Sequence, residues 1–150
     1  MPSSWNVPGD FPVDTNLVLA KLESLERCIK RIEEKAPVTL KALEEDPDIQ
    51  DIIILNLERA VQQCVDLGLH ILSTSNERSP LSMAQTFEKL GNSGFITQTL
   101  ADRLSRAVGF RNIAVHEYES LSWPIVFSIV QKGLTDFRLF ASAVLDALDI

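Results

Sequence analysis

The chain has 150 residues, 45% of them hydrophobic and 23% charged, the size and balance of one globular domain rather than of a disordered chain. Fourteen Lys and Arg against 21 Asp and Glu leave a net charge of −7, which excludes an all-round cationic coat and confines any nucleic-acid contact to a local patch. The longest aliphatic run, Ile52-Ile53-Ile54-Leu55, is far too short to cross a bilayer, and Asp10 and Asp14 precede the first basic residue, Lys21, unlike a secretory or transit leader, so a cytoplasmic protein without membrane contact is expected.

Residues 1–14 carry Pro2, Pro8 and Pro12 with little periodicity and are expected to form a flexible N-terminal arm, with Trp5 and Phe11 pinned on the surface, ahead of one helical domain over 15–150. Val18, Leu22, Leu25, Ile29, Ile32 and Ala36 recur at steps of three and four. They predict a long amphipathic helix that begins at Asp14 or Thr15 and stops before Pro37. Asp46-Pro47-Asp48 is a strong start for a second helix, with an N-cap, a proline at the first position and an acid at the positive end of the dipole. That helix carries two apolar stripes, one through Ile53, Leu57, Ala60 and Cys64, the other through Ile54, Val61, Val65 and Leu72. Two stripes require two packing partners, so the helix is either central to a bundle or shared with another subunit. Ser82-Met83-Ala84-Gln85 reads as a capping box that opens a short helix through Phe87 and Leu90, closed by Gly91-Asn92-Ser93-Gly94. Thr97 is expected to cap a further helix with Leu100, Leu104, Ala107, Val108 and Ala114 inward. Ser122-Trp123-Pro124 opens a last one along Trp123, Val126, Val130, Leu134, Phe137, Ala141, Val144 and Leu148. No segment alternates like a strand between hairpin turns. The fold class is therefore all-α, a bundle of four long helices and one short helix.

Few residues are available for chemistry. Cys28 and Cys64 fall on apolar helical stripes and read as reduced core thiols; with only His70 and His116 beside them, no zinc-ligand set is expected. The six glycines form neither a Walker loop nor a GxGxxG turn, so no nucleotide cofactor is implied. His70, near the end of the second helix, reads as structural. The informative stretch is Phe110-Arg111-Asn112-Ile113-Ala114-Val115-His116-Glu117-Tyr118, which holds one of the two histidines and the only tyrosine. Asn112 and His116 stand one helical turn apart, so the amide is placed to orient the imidazole. Arg111 and Tyr118 share a face if the helix persists that far. Arg111 and His116 point about 140° apart on an ideal helix, so a joint site needs a kinked helix end or a second copy of the motif. On the residues alone, a histidine and a tyrosine near a helix end are more often structural than catalytic.

The stretch resembles the Arg-x4-His-x-Tyr motif of the HepT ribonucleases, toxins of the HEPN (higher eukaryote and prokaryote nucleotide-binding) superfamily. Arg111, His116 and Tyr118 match its defining positions, and Asn112 matches the polar residue often found after that arginine. Leu57-Glu58-Arg59-Ala60-Val61-Gln62-Gln63 with Asp66-Leu67-Gly68, then Phe87-Glu88-Lys89-Leu90-Gly91, then Phe110-Arg111-Asn112, are similar to that family in order, from about Leu17 to Leu148. The resemblance implies a HEPN-like homodimer whose motifs meet in a composite cleft and cleave RNA without a metal. His116 would then be the general base, Arg111 the phosphate clamp and Asn112 a support for the imidazole. It also implies a partner, an MntA-type nucleotidyltransferase antitoxin that adds AMP to Tyr118 and silences the ribonuclease. Arg103 and Arg106 lie on the same helix, where a solvated, salt-bridged face competes with RNA contact. The alternative of a different class is a non-catalytic nucleotide-binding or docking partner of a minimal nucleotidyltransferase, using the same cleft.

Overall fold

The computed structural model describes residues 13–75 and 78–148. The arm expected over 1–14, with Trp5 and Phe11, lies almost wholly outside the described residues. In chain order the helices are α1 (Thr15–Lys35), α2 (Leu40–Glu45), α3 (Pro47–Ser73), α4 (Met83–Asn92), α5 (Gln98–His116), α6 (Trp123–Ser128) and α7 (Leu134–Ala147). A short 3-10 turn, Tyr118–Ser120, separates α5 from α6, and a π-helical turn, Ile129–Gly133, joins α6 to α7. There is no strand among the described residues.

Each long helix begins where its sequence supplies a side-chain acceptor for the first free N–H groups. Asp14 accepts from the Leu17 N–H at 3.1 Å, and Asp46 accepts from both Asp48 and Ile49 at 3.1 Å, with Pro47 at the first position. Ser82 Oγ accepts from Gln85, and Gln85 Oε1 returns the contact to the Leu81 N–H, one residue before the cap itself. Helix α4 closes in a Schellman motif: Gly94 N–H reaches Gly91 O at 3.2 Å, Phe95 N–H reaches Leu90 O at 3.0 Å, and Gly94 takes φ +82°.

The core is one continuous cluster. Helices α1 and α3 pack along each other in opposite directions, joined by Lys21–Asp66 at 2.9 Å and by the Asp14 N–H on His70 Nε2 at 3.0 Å. His70 is thus tied to the start of α1, in the structural role its position suggested. Both stripes of α3 are buried, so this helix is central within a single chain. Cys28 and Cys64 are buried thiols, and burial pushes both upward in pKa. Glycines allow two close crossings. A Cβ on Gly68 would meet Thr86 Cγ2 at 2.7 Å, and one on Gly91 would meet Ala101 Cβ at 2.7 Å. Phe87 and Phe140 lock α4 to α7 edge to face, with centroids 5.7 Å apart. Arg138 of α7 clasps α1 from outside, two-pronged on Glu33 at 2.8 and 2.9 Å and on Glu26 at 3.0 Å.

Two features differ from the expected bundle. Helix α2 is an additional short element, capped by Thr39 on the Ala42 N–H and held by the single buried residue Leu43. The last long helix is interrupted by the π turn, and in α7 beyond it Phe140 is fully buried while Ala141 is only partly buried.

Candidate active site

Helix α5 carries the site. Thr97 Oγ1 caps it at the Leu100 N–H, 3.1 Å away, and burial of Leu100, Leu104, Val108 and Ala114 fixes its rotation. That rotation leaves Arg103, Arg106, Asn112 and His116 exposed and Arg111 half-buried. The helix ends at His116. The Glu117 N–H still reaches Ile113 O at 2.7 Å, but Glu117 leaves helical geometry at φ −142°, ψ 53°. Tyr118 therefore does not continue the face of Arg111, contrary to what a persisting helix would give.

Tertiary contacts account for where Tyr118 goes instead. Its hydroxyl donates to Asp51 Oδ1 on α3 at 2.8 Å, and its ring meets Trp123 edge to face with centroids 6.2 Å apart. These contacts replace one further helical hydrogen bond. Burial, then the bond to Asp51 and the charges of Asp51 and Glu58, push the phenol up to about 12.

Arg111 is half-buried on α5. Its Nη1 donates to Asn112 Oδ1 at 3.3 Å, while its Nε is buried without an acceptor among the described residues. A buried N–H without a partner is costly, and this Nε is shielded from solvent, so it meets another oxygen only if the guanidinium shifts. Burial raises the Glu58 carboxyl, and Arg111 and then Arg59 pull it partly back. Asn112 is turned to Arg111, and no hydrogen bond links it to His116. The His116 imidazole is exposed and makes no hydrogen bond with any described residue. Arg111 and His116 remain on one unkinked helical segment, facing apart.

The two other arginines behave differently from each other. Arg103 pairs with Asp136 of α7 at 3.4 Å, the salt-bridged alternative. Arg106 has no ion pair among the described residues; both rim a cavity of about 240 Å³ walled by Leu57, Val61, Phe110, Ile125 and Phe137. Asp51 and Glu58 are the site neighbours that sequence reading missed. Asp51 is 67 residues from Tyr118, and no local pattern joins them. Among the described residues, no three His, Cys, Asp or Glu side chains stand close enough together to hold a metal ion.

An all-α bundle with Arg-x4-His-x-Tyr running off the end of one helix defines a HEPN-type domain, and comparison with known proteins narrows this. The family model for ribonuclease HepT-like proteins matches residues 25–144. The chain is 36% identical over 129 residues to the mRNA nuclease HepT of Shewanella oneidensis, covering 86% of this chain and 96% of that one. It is 23% identical over 132 residues to the tRNA nuclease HepT of Aphanizomenon flos-aquae, covering 88% and 90%. A solved structure of the tri-AMPylated Shewanella oneidensis HEPN toxin in complex with MNT antitoxin matches with a TM-score of 0.81 at 36% identity, over 86% of this chain and 96% of that one. The chain belongs to the HepT-like ribonuclease family.

Proposed function

We propose that this protein is the ribonuclease toxin of a toxin–antitoxin pair and works in the cytoplasm as a homodimer that cleaves RNA without a metal ion. The observation that carries the reading is the half-buried Arg111, with its unpartnered Nε, on the same helix end as the free His116 imidazole. In this reading Arg111 holds the scissile phosphate and stabilises the charge that grows on it. His116 takes the 2′-hydroxyl proton, the 2′-oxygen attacks phosphorus, and the 5′-oxygen leaves and is protonated. The products are a 2′,3′-cyclic phosphate and a 5′-hydroxyl. Arg111 and His116 face apart on one α5, so the working pair combines two copies of the motif across a two-fold axis. Asn112, bonded to Arg111, supports the clamp in the free chain and is available to His116 when the dimer cleft closes.

The Shewanella toxin is AMP-modified and bound to its nucleotidyltransferase-type antitoxin. By analogy the partner here is an MntA-type nucleotidyltransferase that transfers AMP to Tyr118. Phosphates placed there would occupy Arg111 and exclude RNA.

Expression of the chain alone should arrest growth, and His116→Ala and Arg111→Ala should each relieve the arrest. Purified protein should cleave RNA in excess chelator, with either substitution lowering the rate by at least about a hundredfold. Cleavage abolished by the chelator and restored by a divalent ion would replace this mechanism. A folded His116→Ala protein that stays equally toxic would instead support the non-catalytic docking role. Co-expression with the partner should raise the intact mass by one or more AMP units, all lost in Tyr118→Phe, since Tyr118 is the sole tyrosine. An unchanged mass in a silenced protein would mean inhibition by binding alone.

A further inference from the structure

Away from the motif's face, the junction of α1 and α3 opens into a groove of about 810 Å³. Four cations line it, Arg27, Lys30 and Arg31 from α1 and Arg59 from α3, against the single carboxylate Glu34. On a chain of net charge −7 this is a concentration of the minority sign. Among the described residues Arg27 pairs only with Glu23 of its own helix, at 3.4 Å, and Arg31 only with Glu34, at 3.9 Å. Both pairs are solvent-exposed and readily exchanged for another anion. Lys30 and Arg59 have no ion pair among the described residues. In the same groove Gln63 Oε1 is buried without a hydrogen-bond partner among the described residues, an acceptor that a ribose hydroxyl or a base amine would satisfy.

Ile52 and Leu55 line the groove beside these cations and offer an apolar surface to bases or ribose.

We infer that the α1–α3 groove is a second RNA-contacting surface, which holds the sugar–phosphate backbone of a single strand at a distance from the scissile bond. This rests on the ribonuclease reading and adds a substrate-length requirement to it. The groove contributes binding, and the chemistry stays with Arg111 and His116.

The test uses the full chain with Lys30→Ala and Arg59→Ala combined, neither residue belonging to the proposed cleavage machinery. For a long single-stranded RNA, KM should rise roughly threefold to tenfold with kcat unchanged, while a short oligonucleotide spanning only the scissile bond is cleaved as before. Binding of the long RNA to the His116→Ala protein should lose roughly 0.7 of log–log salt slope for each backbone contact removed. Lys30→Arg with Arg59→Lys, which keeps the charge, should restore both readouts. Unchanged KM and salt slope in a folded double variant would overturn the inference. Loss of the dimer by light scattering with RNA affinity per dimer unchanged would also overturn it, by showing the groove to be a contact between copies. If the wild-type chain cleaves no RNA at all, the ribonuclease reading fails, and the salt slope in the His116→Ala background still decides the groove.

Discussion

Tyr118 donates its hydroxyl proton to Asp51 and packs its ring against Trp123; burial, then the bond to Asp51 and the charges of Asp51 and Glu58, oppose ionisation of the phenol. The folded state holds this proton more tightly than the unfolded chain, in which a tyrosine titrates near 10. The associated stability is fully present below pH 10 and is lost as pH rises toward 12. The sole tyrosine makes the measurement clean: phenolate absorbance should stay small at pH 10 in the folded protein, and Asp51→Ala should move the midpoint down. A phenol already half ionised at pH 10 in the native fold would refute the setting described for it. Arg111, Asn112, His116 and Tyr118 were legible because they stand together in sequence and match a known motif. Asp51 and Glu58 were not, because a carboxylate on a helix surface looks the same in sequence whether it faces water or a tyrosine 67 residues away. The link expected between Asn112 and His116 depended on ideal helical spacing, and in the structure the nearer guanidinium takes the amide oxygen at 3.3 Å.

Helices begin where the sequence says they should, since Asp14, Asp46, Ser82 and Thr97 are short-range signals that act through their own backbone neighbours. Helix α2 escaped because six residues with one buried side chain give no period to read. The π turn escaped because an inserted residue leaves the apolar spacing before and after it nearly helical. The tight crossings at Gly68 and Gly91 were visible only as glycines within family-like segments, and their meaning is a tertiary one. Gly68→Ala should cost about 1–3 kcal/mol, because Thr86 beneath it is fully buried and cannot step aside. Gly109→Ala, where a new methyl meets nothing within 4 Å, should instead leave stability unchanged or raise it by up to about 1 kcal/mol. Chemical denaturation of the two variants checks both signs. A neutral Gly68→Ala would mean that α3 and α4 can separate without loss.

At the scale of the whole molecule, apolar side chains stay exposed on three helices, among them Leu69 on α3, Ile113 on α5 and Ile125 on α6, each 41–58% exposed. They suit a two-fold contact through α3 and α5, the arrangement the proposed composite site needs. Light scattering should report about twice 16.7 kDa. A strict monomer that still cleaves RNA would remove the reason for combining two motifs. The Arg138 clasp on Glu26 and Glu33 spans up to 112 residues and has a consequence in time. During synthesis α1 emerges first, and the helix that closes over it emerges more than a hundred residues later. Until then Leu134, Phe137, Phe140 and Val144 are missing from the core on which α5 rests. In this order α5 gains the support of α7 only after the C-terminal helix has left the ribosome, so nascent chains that already carry the whole Arg-x4-His-x-Tyr motif have yet to complete the core beneath it.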